Sequence, residues 1–127
     1  MSYTIKNLRD VEDSAARYGY SETQEARFAY GDLEAQQTGV AHLTLKPGKR
    51  QPFAHRHNDA EEIYVVLDGG GRVKLDDDVV EIARLDSIRV APGVTRMFEA
   101  GPEGMEFIVF GPHHQGDAEM VQGFWSD

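Results

Sequence analysis

Short apolar runs alternate with turn residues along most of the chain. From residue 39 onward, β-branched and aromatic residues occur in strand-sized segments separated by Gly, Pro or Asp. This pattern is typical of an all-β sandwich or barrel. The spacings leave no room for crossover helices, so we expect a mostly antiparallel sheet. The predicted strands span residues 40–46, 52–57, 62–68, 72–75, 79–83, 87–91, 96–99 and 105–110.

Four segments rich in Gly, Pro or Asp predict the reversals between these strands. Three glycines at 69–71 can supply positive φ, and three aspartates at 76–78 suit a hairpin tip. Pro92-Gly93 suits a type II turn. The segment GPEG at 101–104 predicts a further reversal.

The first 38 residues follow a different pattern. The segment LRDVEDSAARYG predicts a short helix that ends at Gly19, and EARFAY forms a short apolar piece. Because Phe28 and Tyr30 need cover, this piece is either an edge strand or a flap on the barrel. The sequence leaves these two roles open.

Length and charge narrow the classes of function. A chain of 127 residues is one domain long, so we expect a single domain over residues 1–127. With 13 Lys and Arg against 22 Asp and Glu, the net charge is -9, and we expect neither nucleic acid nor a membrane as a partner. The N-terminus has no apolar segment of signal-peptide type, so we expect a cytoplasmic protein. Without cysteine, any metal must be bound by His and carboxylate groups.

Two histidines and a glutamate form a candidate metal site. Residues two apart on a strand share a face, so His55 and His57 present both imidazoles to the same side. Glu62 begins the next predicted strand, and its carboxylate can approach the same point if the two strands are neighbours. Two imidazoles and a carboxylate are the ligand set of non-haem iron sites, and they also suit Mn, Ni, Co, Cu or Zn. We therefore predict a divalent transition metal at His55, His57 and Glu62.

The spacing of these residues resembles the first motif of the cupin superfamily. That motif is Gly, a short gap, HxH, three or four residues, Glu, six residues and Gly. In this chain it is Gly48, six residues, His55-Arg-His57, four residues, Glu62, six residues and Gly69, with the gap after the first glycine one residue longer than the usual five.

This resemblance covers roughly residues 39–111. It implies a small single-domain cupin of the cupin 2 conserved barrel type. The implied fold is a double-stranded β-helix, or jelly-roll, barrel. Residues 1–38 would form a short N-terminal extension, and residues 112–127 a C-terminal tail.

The second cupin motif is matched less well, by LDSIRVAPGVTRMFEA. Leu85 stands at the opening glycine, and the Pro-x-Gly element is shortened to Pro92-Gly93. Arg96 falls on the third metal histidine, and Ala100 lies near the asparagine of the motif. Because a protonated guanidinium has no lone pair for a metal, the usual shell of three His and one Glu is incomplete.

Three arrangements of the site remain open. His55, His57 and Glu62 can hold a metal whose other positions are free for water and substrate. His42 can complete the shell, since it shares a strand face with Thr44. Alternatively, Arg96 can neutralise Glu62 through a bidentate salt bridge inside the barrel and leave no metal.

The predicted ligand-binding residues surround this cluster. Arg96 suits a clamp for a substrate carboxylate or phosphate, although a structural ion pair explains it equally well. Tyr64 shares a strand face with Glu62, and Phe98 shares one with Arg96. We therefore predict that a ligand contacts His42, Tyr64, Arg96 and Phe98.

The resulting functional hypothesis is a small cupin that binds a divalent metal and a small anionic molecule in the barrel. The resemblance implies a metal-dependent dioxygenase, isomerase, epimerase or decarboxylase. One alternative is a metal-free, non-catalytic ligand-binding or structural cupin with Arg96 paired to Glu62. Another is an acid-base enzyme that uses Glu62 and a histidine without metal. The resemblance also implies a homodimer, with residues 1–38 in the contact.

Overall fold

Eight β-strands and two short helical turns make up the described part of the chain. A computed structural model describes residues 2–126. The helical turns are a 3₁₀ helix (Leu8–Asp10) and α1 (Ser14–Arg17). The strands are β1 (Gln24–Phe28), β2 (Thr38–Leu45), β3 (Ala54–His57), β4 (Glu62–Leu75), β5 (Asp78–Ala83), β6 (Ser87–Val90), β7 (Arg96–Pro112) and β8 (Ala118–Val121).

The strands form one curled, antiparallel sheet. Its hydrogen-bonded order is β1-β2-β7-β3-β8, and β4 pairs with β5, β6 and β7. Every strand pair in the described residues is antiparallel. The all-β, antiparallel prediction is therefore confirmed.

The strands β4 and β7 are longer than predicted. They pair from Ile63–Phe110 to Leu75–Arg96, with two register shifts near the glycines of β4. Each contains two of the predicted strands, so the reversals expected at 69–71 and 101–104 are wrong. The glycines at 69–71 serve close approach instead, because a Cβ on Gly71 would lie 1.9 Å from the carbonyl oxygen of Glu99. The strands bend there without reversing.

The other two predicted turns are confirmed. Asp76 adopts a φ of 52° at the tip between β4 and β5. Gly93 adopts a φ of 87° between β6 and β7, as the third residue of a type II turn requires.

The apolar faces of the sheet enclose the main core. Its fully buried members come from β2, β4, β6 and β7 and include Leu45, Val66, Val73, Val90, Phe98 and Phe107. A second, smaller cluster joins Ala54 and Met97 to Trp125 near the C-terminus. This cluster lies behind β3, the strand that carries both predicted metal histidines.

The N-terminal segment forms two helical turns where one helix was predicted. Asp13 interrupts the helix because its carboxylate accepts hydrogen bonds from the backbone N–H of Ala15 and of Ala26, each at 3.0 Å. These bonds tie the start of α1 to β1. The apolar piece EARFAY is an edge strand, β1, which pairs with β2. Phe28 at its end is 57% exposed.

None of the helices among residues 2–126 has the length and apolar character needed to cross a bilayer.

Candidate metal centre

The side chains of His55, His57 and Glu62 meet inside the curled sheet. One ligand atom from each lies within 4.8 Å of the others. The two histidines share a face of β3, as predicted, while Ala54 points to the second core cluster. β3 pairs with β7 and β8, and β4 with β5, β6 and β7. Glu62 therefore reaches the histidines from a strand that is not a sheet neighbour of β3.

One oxygen of Glu62 is the centre of this group. Its Oε1 lies 3.3 Å from Nε2 of His57 and 3.9 Å from Nε2 of His55. It also accepts hydrogen bonds from Nη2 of Arg96 at 2.5 Å and from the hydroxyl of Tyr64 at 3.1 Å. Four donors or potential donors thus converge on a single carboxylate oxygen.

Arg96 forms the predicted ion pair with Glu62, through one nitrogen instead of two. The residue is completely buried, and its three guanidinium nitrogens all donate: Nη2 to Glu62, Nε to Tyr64 at 3.1 Å, and Nη1 to the carbonyl of Val94 at 2.9 Å. Burial alone would lower the pKa of Arg96, but Tyr64 and Glu62 outweigh it and raise the pKa. With no exposed surface and no spare nitrogen, Arg96 cannot clamp a ligand in this conformation.

The electrostatics of the group favour a carboxylate beside a neutral imidazole. Burial would raise the pKa of Glu62, but the adjacent rings of His55 and His57 and the hydrogen bond from Arg96 hold it far below its usual range. The pKa of His55 is lowered, mainly by burial, which outweighs the opposite effect of the nearby Glu62 carboxylate, and the charge of Arg96 adds to the lowering. At neutral pH, His55 therefore keeps a lone pair for a metal.

Asp117 is a site residue that the sequence analysis missed. It lies just before β8, is 6% exposed, and places Oδ2 3.2 Å from Nδ1 of His57. Burial would raise the pKa of Asp117, but the backbone N–H groups of Asp59 and Ala60, and then His57, lower it. Asp117 is 60 residues from His57 in sequence. GDAEM is not a recognisable ligand motif, so no local signal marks this aspartate.

His42 does not join the site. In β2 the inward residues are Ala41, Leu43 and Leu45, and His42 lies on the opposite face, where its Nε2 contacts Oε2 of Glu106 at 2.6 Å. The expectation that His42 completes the metal shell or contacts a ligand in the barrel is therefore wrong. Because side chains alternate between the two faces of β2, His42 points away from the interior of the barrel.

Tyr64 and Phe98 face inward, as predicted, but both are buried. Tyr64 is 2% exposed, and burial raises its pKa, so its hydroxyl stays protonated between Arg96 and Glu62. Phe98 is 0% exposed, and its ring centroid lies 4.7 Å from that of Phe107. Phe98 is part of the core in this conformation, and Tyr64 supports the carboxylate of Glu62.

The donor set fits a divalent transition metal. Imidazole and carboxylate are ordinary ligands of Fe, Mn, Ni, Co, Cu and Zn. Asp117 contacts Nδ1 of His57 and leaves Nε2 toward Glu62, the arrangement that a second carboxylate commonly gives to a metal-bound histidine. Arg96 opposes binding, because it is a permanent cation bonded to the carboxylate that the metal needs.

Comparison with known proteins places the chain in a family. The profile of the Cupin domain family matches residues 41–111. The uncharacterised protein MJ1618 of Methanocaldococcus jannaschii is 26% identical over 81 residues, which are 61% of this chain. The match spans about 65% of that relative's length.

Solved structures with the same architecture include a cupin protein from Bacteroides fragilis, with a TM-score of 0.72 and 21% identity over 98% of this chain and 92% of that one. The polyketide cyclase RemF from Streptomyces resistomycificus has a TM-score of 0.75 and 19% identity over 93% of this chain and 84% of that one. At these identities the likeness shows the fold. Since the family profile covers more than half of the sequence and its fold is the one observed, the chain belongs to the Cupin domain family.

Proposed function

We propose that this cupin is a metal-dependent enzyme in which His55, His57 and Glu62 hold a divalent transition metal beside a small anionic molecule. The observation that carries the proposal is the convergence of three ligand atoms within 4.8 Å inside the barrel. The side chains of His55, Glu62 and His57 are 23%, 18% and 17% exposed, so a small molecule can reach them. In this proposal the ligand contacts the metal ligands themselves and not the buried Arg96.

The charges around the group favour an anionic ligand. Glu62 and Arg96 neutralise each other, and Asp117 adds one negative charge. A divalent ion among them leaves one net positive charge in a largely buried place, where charge interactions are strong. A small carboxylate or a similar anion offsets that charge. The anion is thus held by the net charge of the site, and not by the direct contact with Arg96 that the sequence suggested.

The chain's own residues would prepare the ligand for reaction. A bound divalent metal supplies Lewis-acid polarisation and, for some metals, redox chemistry. Arg96 and Tyr64 fix the carboxylate of Glu62, and Asp117 fixes the ring of His57. The proposal extends to the dioxygenase, isomerase, epimerase or decarboxylase classes that the cupin resemblance implies.

Calorimetric titration with metal tests the proposal. Protein purified without a His-tag and stripped with a chelator should bind Mn, Ni, Co or Zn at one site per chain. His55→Ala combined with His57→Ala should abolish this binding. His114→Ala is the matched control, because His114 is exposed and lies outside the group. Absence of bound metal in the wild type, with no thermal shift on metal addition, would contradict the proposal.

A metal-free cupin is the second candidate, and the short Arg96–Glu62 ion pair favours it. Such a barrel either sequesters a ligand or uses Glu62 and His57 in acid-base chemistry. Chelator-treated wild type separates the candidates, because full ligand binding or turnover without metal supports this one. In the acid-base form, Glu62→Gln should abolish turnover in metal-free protein.

We also propose that the chain forms a homodimer through its N-terminal region. Tyr3 and Ile5 are 70% and 87% exposed, and Phe28 is 57% exposed on edge strand β1. Light scattering at micromolar concentration should give twice the mass of one chain. Tyr3→Ser with Ile5→Ser should weaken the dimer, and Val79→Ser with Val80→Ser, on exposed β5, is the control. A monomeric wild type would contradict this proposal.

A further inference from the structure

The C-terminal segment contributes a carboxylate to the site. Asp117 is buried, and its Oδ2 lies 3.2 Å from Nδ1 of His57, while Nε2 of the same ring lies 3.3 Å from Oε1 of Glu62. We propose that Asp117 is the positioning residue of His57: it accepts the Nδ1 proton and thereby presents Nε2 to the Glu62 side of the ring. The inference rests on the proposed function only in making that Nε2 a metal ligand.

Asp117 also holds the loop that joins the two halves of the site. Its Oδ1 accepts the backbone N–H of Asn58 at 3.1 Å and of Asp59 at 2.8 Å, and its Oδ2 accepts that of Ala60 at 3.0 Å. This loop connects His57 to Glu62. One carboxylate therefore fixes both the orientation of the ring and the separation of two ligand residues.

His55 offers an internal comparison. Among residues 2–126 its carboxylate contact runs from Nε2 to Glu62, with no carboxylate within ion-pair distance of its Nδ1. A carboxylate on Nδ1 selects the neutral tautomer that carries its proton there. A change at Asp117 should therefore alter the ring of His57 and leave the tautomer of His55 as it was.

The substitution Asp117→Asn tests this role with almost no change in shape. The oxygen of the new amide should stay on the N–H groups of Asn58 and Asp59, because these donors need an acceptor. The amide NH₂ then faces His57 and donates to Nδ1, and the backbone N–H of Ala60 is the one loop donor that loses its acceptor. The ring is driven to the tautomer protonated at Nε2, which cannot bind a metal through that nitrogen.

Two measurements follow, one of them independent of metal. Long-range ¹⁵N–¹H NMR of metal-free protein at alkaline pH should show His57 protonated at Nδ1 in the wild type and at Nε2 in Asp117→Asn. Calorimetry with Mn or Ni should show at least about tenfold weaker binding by the variant. Asp13→Asn is the matched control: Asp13 also accepts backbone N–H groups, two where Asp117 accepts three, but it lies outside the site. It should match the wild type in both measurements.

The outcomes separate this inference from the proposed function. If wild type binds metal and Asp117→Asn binds it equally well with an unchanged tautomer, Asp117 has no positioning role. If wild type binds no metal but the tautomer still inverts in the variant, the positioning role stands and the metal proposal fails. Asp117→Ala removes the loop contacts as well. If Asp117 supported metal binding only through its hydrogen bonds to the loop, Asp117→Ala would weaken metal binding while Asp117→Asn would not. That result would overturn the inference.

Discussion

At the scale of single residues, Arg96 sets the balance between a metal site and an ion pair. Its guanidinium is completely buried and donates to Glu62, Tyr64 and Val94. A permanent positive charge there opposes a second cation at Glu62. The same contacts hold the Glu62 carboxylate beside the two histidines. Arg96 thus orders one ligand residue while lowering the affinity of the group for metal.

We expect Arg96→His to bind Ni, Mn or Zn more tightly than the wild type, by at least about tenfold, or roughly 1.4 kcal/mol. The substitution removes the cation and places an imidazole on the face of β7 from which Arg96 reaches Glu62. The metal-free variant should be less stable, by about 3–5 kcal/mol, because Glu62 loses its buried partner. Calorimetric titration gives the affinity, and urea unfolding gives the stability.

Arg96→Met is the control for this prediction, because it removes the charge without adding a ligand. It should lose stability to a similar degree and gain less metal affinity than Arg96→His. Equal or weaker binding by the histidine variant would show that residue 96 does not contribute to the metal position.

The sequence predicted that His55, His57 and Glu62 come together, but not the residue that supports them. His55, His57 and Glu62 were recognisable because strand alternation and a short loop bring them together. Asp117 was missed because its contact with His57 joins distant parts of the chain, through the pairing of β3 with β8. His42 was predicted on the wrong face of β2. A polar residue in an alternating strand shows that the two faces differ, but it does not show which face lines the barrel.

At the scale of strands, the bend of β4 against β7 requires glycine. A Cβ on Gly71 would lie 1.9 Å from the carbonyl oxygen of Glu99, which is backbone and cannot rotate away. We expect Gly71→Ala to lower the free energy of unfolding by at least about 2 kcal/mol. Gly31→Ala is the control, since a Cβ there meets nothing within 4 Å. Similar unfolding curves for the two variants would refute the close approach.

Trp125 attaches the C-terminal segment to the back of β3. It is 7% exposed, packs with Ala54 and Met97, and lies under the guanidinium of Arg50 at 4.1 Å from its ring centre. Trp125→Ala should therefore cost about 3 kcal/mol or more. Met120→Ala on β8, which is 59% exposed, should cost close to nothing. Thermal unfolding measures the stability of both variants. Equal losses of stability would mean that the C-terminal segment contributes little packing.

Glu99 makes this attachment dependent on pH. It accepts hydrogen bonds from Arg72 and Arg50, which lower its pKa below 4.5 although burial would raise it. A depressed pKa means that the unfolded chain takes up the proton first, so the stabilisation is complete above about pH 4.5 and declines as the pH falls further. The stability difference between wild type and Glu99→Gln, on the order of 1 kcal/mol, should shrink on acidification in urea titrations. A stability difference that does not change with pH would contradict this prediction.

The strand pattern was predictable because apolar residues alternate along β2, β4 and β7. The sequence did not predict that β4 and β7 each unite two of the predicted strands in one continuous strand. Glycine runs serve turns and close approaches alike, and only the facing strand decides between them. For the same reason β8 was missed. Its residues are mostly exposed and carry little apolar alternation, so its pairing with β3 has no sequence signature.

At the scale of the whole molecule, both terminal segments belong to the fold, although the family match covers residues 41–111. The N-terminal segment adds β1 to the sheet edge and Ala15 to the core. The C-terminal segment adds β8, Asp117 and Trp125. A truncated chain limited to the matched residues should therefore not keep the orientation of His57, and the NMR measurement described above would show this directly.

The long pairing of β7 has a consequence for the rate of folding. Its residues meet partners far away in sequence, such as Pro112 opposite Thr38 and Arg96 opposite His55. Closing such large loops is slow, so refolding should take milliseconds to seconds. The fluorescence of Trp125, the only tryptophan, can follow refolding in a stopped-flow experiment. Under the proposed function, His55 reaches its place beside Glu62 only when β3 is docked on β7, so metal added during refolding should bind only after this phase.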